Sequence, residues 1–196
     1  MLIFLAVLAS YLIGAIPFSL IFGIIYRGID VRRTGSGNVG ATNTLVTAGK
    51  RAGIAAVFFD IAKGFAAVVL SQFLVGGEII AVLCAISAII GHNYSLYLGF
   101  KGGKGIATTS GAIAALNPYL MLPILMIYVI FLIITRYLIL STLLTLVLLP
   151  FIFILAGDGM VYSMYGILSF GLAIVAHRKD IERLVAGQEK KLSEIL

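Results

Sequence analysis

Two lysines stand among glycines in a polar segment of an otherwise apolar chain, GHNYSLYLGFKGGKG from Gly91 to Gly105. Lys101 and Lys104 can bring two ammonium groups onto one phosphate, and no side chain shields the backbone N–H groups of Gly102 and Gly103. A glycine follows Lys104 where a P-loop has Ser or Thr, so nucleotide hydrolysis is not indicated. The spacing predicts phosphate binding. The alternative is that the two lysines only orient the chain in a membrane.

The same segment begins with an imidazole and a carboxamide, those of His92 and Asn93. A histidine titrates near neutral pH and can take a proton from an attacking hydroxyl. Asn93 can orient either a substrate oxygen or the imidazole. A lone histidine at a helix end is also commonly a hydrogen-bonded structural residue, so both roles for His92 stay open.

A second polar segment, TGSGNVGATN from Thr34 to Asn43, is rich in glycine and small polar residues. Its glycines let the backbone turn tightly and expose successive N–H groups, and a short helix from Ala41 to Ala48, ended by Gly49 and Lys50, is expected to follow. The pattern predicts an anion cradle, with a flexible polar loop as the alternative. The candidate substrate-binding residues here are Ser36, Gly37, Asn38, Gly40, Thr42 and Asn43.

The third polar segment, HRKDIERLVAGQEKK from His177 to Lys191, directly follows an apolar run. Ile181, Leu184 and Val185 have helical spacing, which predicts a short amphipathic helix on the bilayer surface. Its basic side chains suit a phosphate. The alternative is that the segment only anchors the last span.

Asp60 and Lys63 are two ionisable residues inside an apolar run. They are three residues apart, so they share one helix face and can neutralise each other. Charged groups within a span are costly and often functional, although a purely structural pair is an equal alternative.

Composition indicates a lipid environment, because 61% of the 196 residues are hydrophobic and only 11% are charged. The single cysteine, Cys84, allows neither a disulfide framework nor a cysteine metal site. Fourteen Lys and Arg against eight Asp and Glu give a net charge of +6, but the basic residues cluster in a few loops. That distribution indicates membrane topology and anionic ligands rather than nucleic acid.

Runs of roughly 17 to 25 apolar residues suit a helical span. The first run has no basic region before it and is long enough to span, so a retained helix is favoured over a signal peptide. An eleven-residue run from Ile106 to Leu116 is a seventh candidate, short enough to suggest a re-entrant helix. The six clear candidates are Leu2 to Ile25, Gly53 to Val75, Ile79 to Leu98, Tyr119 to Thr135, Ile139 to Ala156 and Met160 to Ala176.

The distribution of Lys and Arg between the two sides of the membrane favours seven crossings. With the short run crossing and the N-terminus outside, every Lys and Arg except Lys63 falls on one side of the membrane. The positive-inside rule makes that side cytoplasmic and places the C-terminus there. We therefore expect an all-α integral membrane protein with seven transmembrane helices, one of them short, and a single polytopic domain over residues 1–196.

Three function classes fit a polytopic membrane protein. Phosphate-compatible segments on one face favour an enzyme at which a phosphorylated substrate meets a lipid-soluble one. An anion transporter or channel is expected to have charges or broken helices at the bilayer midplane, often in two related halves. Only Asp60 and Lys63 lie at such a depth, and no symmetry is evident. A scaffold protein has no need of glycine-rich loops of this composition.

The three segments together resemble the signatures of a known family. The strings GSGNVGATNTL from Gly35, GHNYSLYLGFKGGKGIATTSG from Gly91 and HRKDIERLVAGQEKK from His177 are similar to those of the bacterial acyl-phosphate:glycerol-3-phosphate acyltransferases, the PlsY family. FFDIAKG from Phe58 and the chain length agree with it too, so the resemblance covers essentially the whole chain.

The resemblance implies transfer of a fatty acyl group from acyl phosphate to the 1-hydroxyl of glycerol 3-phosphate, forming lysophosphatidic acid and phosphate. It implies a multi-pass enzyme of the bacterial inner membrane with its active site facing the cytoplasm. It further implies membrane lipid as surroundings and no metal, cofactor, acyl-CoA or acyl carrier protein. Nothing in it fixes the oligomeric state.

Two positions depart from the family pattern. Val46 stands where Arg is usual, so Lys50 or Arg51 is a candidate substitute. Asp180 stands where Asn is usual, and its charge is awkward beside an anion unless it pairs with Arg178 or Arg183.

The expected division of labour follows from holding two anions together. Residues 36–43 are expected to cradle the acyl phosphate. Lys104, aided by Lys101, Gly102 and Gly103, is expected to bridge the two phosphates. The departing phosphate is the favoured proton acceptor, with His92 as the alternative base and Asn93 as its partner. His177, Arg178, Asp180 and Glu189 are expected to bind glycerol 3-phosphate.

Overall fold

The computed structural model describes residues 1–195, which form helices joined by turns and contain no β-strand. An all-α architecture is therefore confirmed for the described residues. The helices are α1 Leu2–Ala15, α2 Phe18–Arg27, α3 Ala41–Ala48, α4 Lys50–Leu74, α5 Glu78–Asn93, α6 Ile106–Leu116, α7 Pro118–Thr135, α8 Leu138–Leu155, α9 Gly159–Ala176, α10 Arg178–Val185 and α11 Leu192–Ile195.

Six stretches within residues 1–195 are long and apolar enough to cross a membrane, in agreement with the six clear candidates. The helix α6 has the predicted bounds Ile106–Leu116. Its eleven residues are about 16 Å long, roughly half of a 30 Å hydrocarbon core, so a seventh crossing stays a prediction.

The first span is not one continuous helix. It divides into α1 and α2 at Ile16 and Pro17, because proline has no N–H to continue the helical ladder. The third span reaches Leu98 as expected but is not one helix either, since α5 stops at Asn93 and a 3-10 turn over Leu96–Leu98 follows. Both interruptions free backbone carbonyls near the polar segments.

The chain forms two compact units, residues 1–115 and residues 116 onward. In the first unit, α1, α4 and α5 pack against one another, while α2 and α3 pack on α4. Glycines permit the closest approaches: a Cβ added at Gly91 would lie 2.2 Å from the Tyr11 carbonyl oxygen, and one at Gly64 would lie 2.0 Å from that of Thr108. Such backbone contact is typical of helix packing in membranes.

In the second unit, α8 packs against both α7 and α9. Its core includes Phe153 and Tyr165, whose rings meet edge to face with centroids 6.2 Å apart. The helix α10 forms over Arg178–Val185, where an amphipathic helix is predicted. The chain beyond it returns to α7, since Leu192 N–H donates to the carbonyl of Arg136 at 2.8 Å.

Candidate active site

The carboxamide of Asn43 organises the first glycine-rich segment. Its Nδ2 donates to the backbone carbonyls of Val31, Thr34 and Asn38 at 2.8, 3.1 and 3.0 Å, and its Oδ1 accepts from Ser36 N–H at 2.9 Å. Asn43 is only 5% exposed. Its hydrogen-bonding capacity is therefore used within the loop, which makes it a loop-ordering residue of the predicted cradle.

The loop's shape depends on glycine at two places. Gly35 and Gly37 have φ of +61° and +72°, a region that other residues rarely adopt. A Cβ at Gly35 would also lie 2.2 Å from Asn43 Oδ1. Ser36 is exposed between the two glycines, and its Oγ accepts weakly from Asn38 N–H at 3.4 Å.

The loop leads into the N-terminus of α3, the helix that begins at Ala41 and is predicted to follow the loop. Gly40 precedes it, and no side chain caps its first turn. The first N–H groups of a helix have no carbonyl within that helix to bind, and the helix dipole favours an anion there. Thr42 is exposed in this first turn, so the geometry suits a phosphate group.

An ion pair orders the chain that enters this loop. Asp30 accepts from Arg32 Nη2 at 2.7 Å and from Arg32 Nε at 2.9 Å, and it lies 3.8 Å from Arg33. The Arg32 hydrogen bonds lower the pKa of Asp30 to about 2. Asp30 is therefore ionised at any physiological pH and already bound to an arginine.

The second glycine-rich segment folds back on the end of α5. Gly103 N–H donates to the His92 carbonyl at 3.0 Å, and Gly102 N–H donates to the Asn93 carbonyl at 3.0 Å. A Cβ at Gly102 would lie 1.9 Å from the His92 carbonyl oxygen. Only glycine permits this approach, so His92 and Asn93 fix the backbone that leads to Lys104.

The two glycine-rich segments adjoin at Gly103. A Cβ there would lie 2.3 Å from His92 Nε2 and also 2.3 Å from the Val39 carbonyl oxygen of the first segment. The structure thus brings together two segments that are more than fifty residues apart in sequence. Lys101 is exposed beside this junction along the chain, and Lys104 is half-buried.

A buried charged cluster lies beneath the junction. Lys63 Nζ is 2.7 Å from Asp60 Oδ1, which confirms the predicted pair, and it donates to the Ile16 carbonyl at 3.0 Å. Asp60 Oδ1 also lies 3.5 Å from His92 Nδ1, which is 3.4 Å from Thr108 Oγ1. The side chains of Asp60 and Lys63 are each 2% exposed, and that of His92 is 7% exposed.

A small cavity connects this cluster with the glycine-rich segments. Its walls include Lys63, His92, Gly103, Val39 and Ser19. Its volume is about 10 Å³, close to the minimum for one water. The cavity is too small for either predicted substrate and is therefore not itself the substrate site.

The third segment belongs to the second unit. His177 Nδ1 is 2.9 Å from the Ala173 carbonyl, and its own carbonyl accepts from Asp180 N–H at 2.8 Å. Asp180, 5% exposed, forms an ion pair with Arg183, one of the two partners expected for it. Arg183 Nε also donates to Glu189 at 2.7 Å, and this bond leads the causes that raise the pKa of Arg183. Arg178 is exposed.

Sequence reasoning missed some members of the buried cluster. Thr108 is fully buried beside His92, but an alcohol in an apolar helix carries no distinctive signal. The Ile16 carbonyl is a backbone group, and the only hint of it is Pro17, which interrupts the first span. The Oδ1 atom of Asn93 is buried without a hydrogen-bond partner, which the sequence does not indicate either.

Comparison with known proteins gives a consistent result. A family model described as glycerol-3-phosphate acyltransferase matches residues 4–187. The chain is 42% identical to glycerol-3-phosphate acyltransferase 2 of Moorella thermoacetica over 97% of each chain, and 40% identical to the enzyme of Macrococcus caseolyticus over 96% of each.

Solved structures are similar as well. The crystal structure of PlsY, an integral membrane glycerol 3-phosphate acyltransferase, in its glycerol 3-phosphate form has a TM-score of 0.90 and 30% identity, covering 97% of this chain and 95% of that one. Its lysophosphatidic acid form gives the same score and identity. The family match spans nearly all of the chain, and it includes the first two polar segments and the third as far as Gly187. The chain therefore belongs to the glycerol-3-phosphate acyltransferase family, with the integral membrane fold of PlsY.

Proposed function

We propose that this glycerol-3-phosphate acyltransferase takes its acyl group from acyl phosphate. The 1-hydroxyl of glycerol 3-phosphate attacks the acyl carbonyl, a new ester C–O bond forms, and the bond between the carbonyl carbon and the phosphate oxygen breaks. The products are lysophosphatidic acid and inorganic phosphate. The glycerol 3-phosphate and lysophosphatidic acid forms of the similar crystal structure support this acceptor and product.

The contact of Gly103 with His92 and the Val39 carbonyl is the observation that carries the proposal. It places two glycine-rich segments side by side, so the first turn of α3 and the two lysines of the second segment can serve one shared anionic region. A donor and an acceptor that each carry a phosphate need such a region. An acyl-CoA donor has its phosphates far along the molecule from the reacting thioester and gains less from it.

In this proposal the first segment binds the donor phosphate. Backbone N–H groups of Val39, Gly40 and the first turn of α3, with the hydroxyl groups of Ser36 and Thr42, supply the hydrogen bonds. Asn43 acts by holding the loop in shape, since its carboxamide binds four backbone groups of residues 31–38. Val46, the departure from the family pattern, is 51% exposed, so an arginine lost there leaves no buried gap.

Lys104 is proposed to bridge the two phosphates and to stabilise negative charge on the carbonyl oxygen and the leaving phosphate, with Lys101 assisting. Gly102 and Gly103 let the backbone before Lys104 lie close against His92 and Asn93, which positions Lys104.

For the third segment we retain the proposal that His177, Arg178, Asp180 and Glu189 bind substrate. The pairing of Arg183 with both Asp180 and Glu189 supports it, because it compensates the extra charge of Asp180.

The departing phosphate is the proposed proton acceptor. An acyl phosphate has a good leaving group, so no strong protein base is required. The surroundings of His92 support this route: the residue is 7% exposed, Nδ1 faces Asp60 and Thr108, and Nε2 lies against Gly103. Such packing suits a positioning role better than proton transfer to a mobile substrate.

We further propose seven crossings in the bacterial inner membrane, an outside N-terminus, a cytoplasmic active site and one functional domain over residues 1–196. The basic segments all fall on one side in this arrangement. A cysteine in place of Val185, which is 85% exposed, tests it in a Cys84→Ala background. Labelling by an impermeant reagent only in inverted vesicles agrees with the proposal, and labelling of intact cells contradicts it.

The donor is tested with purified protein, glycerol 3-phosphate and one of three donors: acyl phosphate, acyl-CoA or acyl carrier protein carrying the same chain. Lysophosphatidic acid is expected only with acyl phosphate. Lys104→Ala is expected to lose nearly all transfer, while Arg33→Ala, which removes an exposed cation of the same unit, is expected to retain it. Equal transfer from acyl-CoA contradicts the proposed donor.

A further inference from the structure

We propose that Asp60, Lys63 and His92 form a positioning network that holds the glycine-rich segment before Lys104 in its substrate-binding shape. The network runs from the break in the first span to Gly102 and Gly103. It rests on the proposed function of that segment, but it concerns residues that touch no substrate. None of the three would act on the reacting atoms in this role.

The network begins at the helix break. The Ile16 carbonyl lies between α1 and α2, and it accepts from Phe18 N–H at 3.1 Å and from Lys63 Nζ at 3.0 Å. The same ammonium group lies 5.8 Å from the centre of the Phe18 ring, within the range of a cation–π contact. Lys63 therefore joins α4 to both sides of the break.

Asp60 is the middle member. Its Oδ1 lies 2.7 Å from Lys63 Nζ and 3.5 Å from His92 Nδ1. One carboxylate oxygen thus faces a group on α4 and a group on α5. A buried carboxylate and ammonium are costly unless paired, so each fixes the other, and His92 is oriented against this fixed pair.

His92 connects the network to the glycine-rich segment. Thr108 Oγ1 lies 3.4 Å from Nδ1, which sets the ring plane together with Asp60. The opposite ring edge, at Nε2, lies where a Gly103 side chain would be, and the His92 carbonyl binds Gly103 N–H at 3.0 Å. A tilt of the ring therefore pushes on the backbone that precedes Lys104.

Gly102 and Gly103 have no side chains with which to anchor themselves. Their backbone N–H groups bind the Asn93 and His92 carbonyls, and the segment between them and the 3-10 turn includes Phe100 at φ of +63°. The position of these two glycines therefore depends on the rigidity of His92 and Asn93. A displacement of about 1 Å at a substrate-positioning group can cost about 100-fold in rate.

The main variant is Asp60→Asn/Lys63→Met, which removes both charges together and so leaves neither one buried alone. Ser71→Ala is the matched control, because Ser71 is a buried polar residue of the same helix whose hydroxyl donates to the Val68 carbonyl at 2.6 Å. We expect the double variant to fold, to raise the KM for glycerol 3-phosphate about 10-fold or more and to lower kcat. We expect the control to stay within about twofold.

A spin label gives a second readout that needs no catalysis. In a Cys84→Ala background, a spin-labelled cysteine replaces either Tyr97 or Phe73. Tyr97 is 54% exposed in the turn before the segment, and Phe73 is 87% exposed at the far end of α4. The double variant is expected to increase label mobility at 97 and to leave mobility at 73 unchanged. General loosening of the fold would move both.

Thr108→Val is the variant to use if the double variant does not fold, since it keeps both charges and removes one hydroxyl beside His92. It should raise the KM about threefold and loosen the label at 97. Near-normal kinetics with an unchanged label at 97, in either folded variant, would overturn the network. If the wild-type protein forms no lysophosphatidic acid, the proposed function fails, while the label still decides on the network.

Discussion

His92 and Gly103 contact each other through both backbone and ring. The His92 carbonyl accepts from Gly103 N–H at 3.0 Å, and His92 Nε2 would lie 2.3 Å from a Cβ placed on Gly103. The imidazole thus occupies the space that any other residue at 103 would need. This relationship explains why a glycine adjoins the lysine segment at that point.

Replacing Gly103 by Ala is expected to lower kcat/KM by about 100-fold, because the added methyl meets both His92 and the Val39 backbone and must displace the segment. Steady-state assays with both substrates measure the loss. Gly171→Ala is the control, since Gly171 lies in a helix with no atom near its Cβ position. Equal activity of the two variants would show that the close approach at 103 is unimportant.

Asn43→Asp tests the loop-ordering role of the carboxamide. The change keeps the size and the acceptor for Ser36 N–H, but it removes the donors to Val31, Thr34 and Asn38. We expect a loss of about 1–3 kcal/mol in unfolding free energy and a higher KM for acyl phosphate. Thr47→Val, which removes one hydrogen bond to the Asn43 carbonyl, is the milder comparison. An unchanged KM in Asn43→Asp speaks against an ordered donor loop.

Arg183→Ala tests charge compensation in the third segment. The change removes the ion-pair partner of both Asp180 and Glu189. We expect the thermal midpoint to fall by about 2–4 °C, the shift for roughly 1 kcal/mol in a chain of this size. Adding Asp180→Asn should recover part of that loss. If the second substitution lowers the midpoint further, Arg183 does not serve to balance Asp180.

The pair of Asp30 and Arg32 predicts a pH window. The pKa of Asp30 is lowered to about 2 from 3.8, so its pairing stabilises the folded state above about pH 4 and is lost as pH falls toward 2. Arg32→Ala should therefore lower the thermal midpoint at pH 6, and the difference from wild type should shrink between pH 4 and 2. Arg33→Ala, 3.8 Å from Asp30, should do less. A difference that grows on acidification refutes this assignment.

Much of the fold follows from the sequence because hydrophobic length is a strong signal. The six apolar runs predicted as spans recur as helical stretches, and Gly49 ends the short helix α3 as expected. The pair of Asp60 and Lys63 was predictable too, since helical spacing places residues three apart on one face. Asp180 pairs with Arg183 for the same reason, since these two residues are also three apart in a helix.

Other parts depend on tertiary contacts that a local pattern does not contain. Nothing in the sequence indicates that His92 lies over Asp60, because the two residues belong to different helices. Asn43 carries a polar side chain like its neighbours, and only the folded loop reveals that it binds four backbone groups. Nothing in the sequence indicates that the Ile16 carbonyl, a backbone group beside Pro17, accepts from Lys63.

The central claim is acyl transfer from acyl phosphate at a site that depends on Lys104, and one reaction tests it directly. Purified protein is mixed with acyl phosphate and glycerol 3-phosphate, and lysophosphatidic acid and inorganic phosphate are measured together over time. The account predicts that the two products rise one to one, and that Lys104→Ala forms neither above the uncatalysed rate. Phosphate release without lysophosphatidic acid, or undiminished transfer by Lys104→Ala, would contradict it.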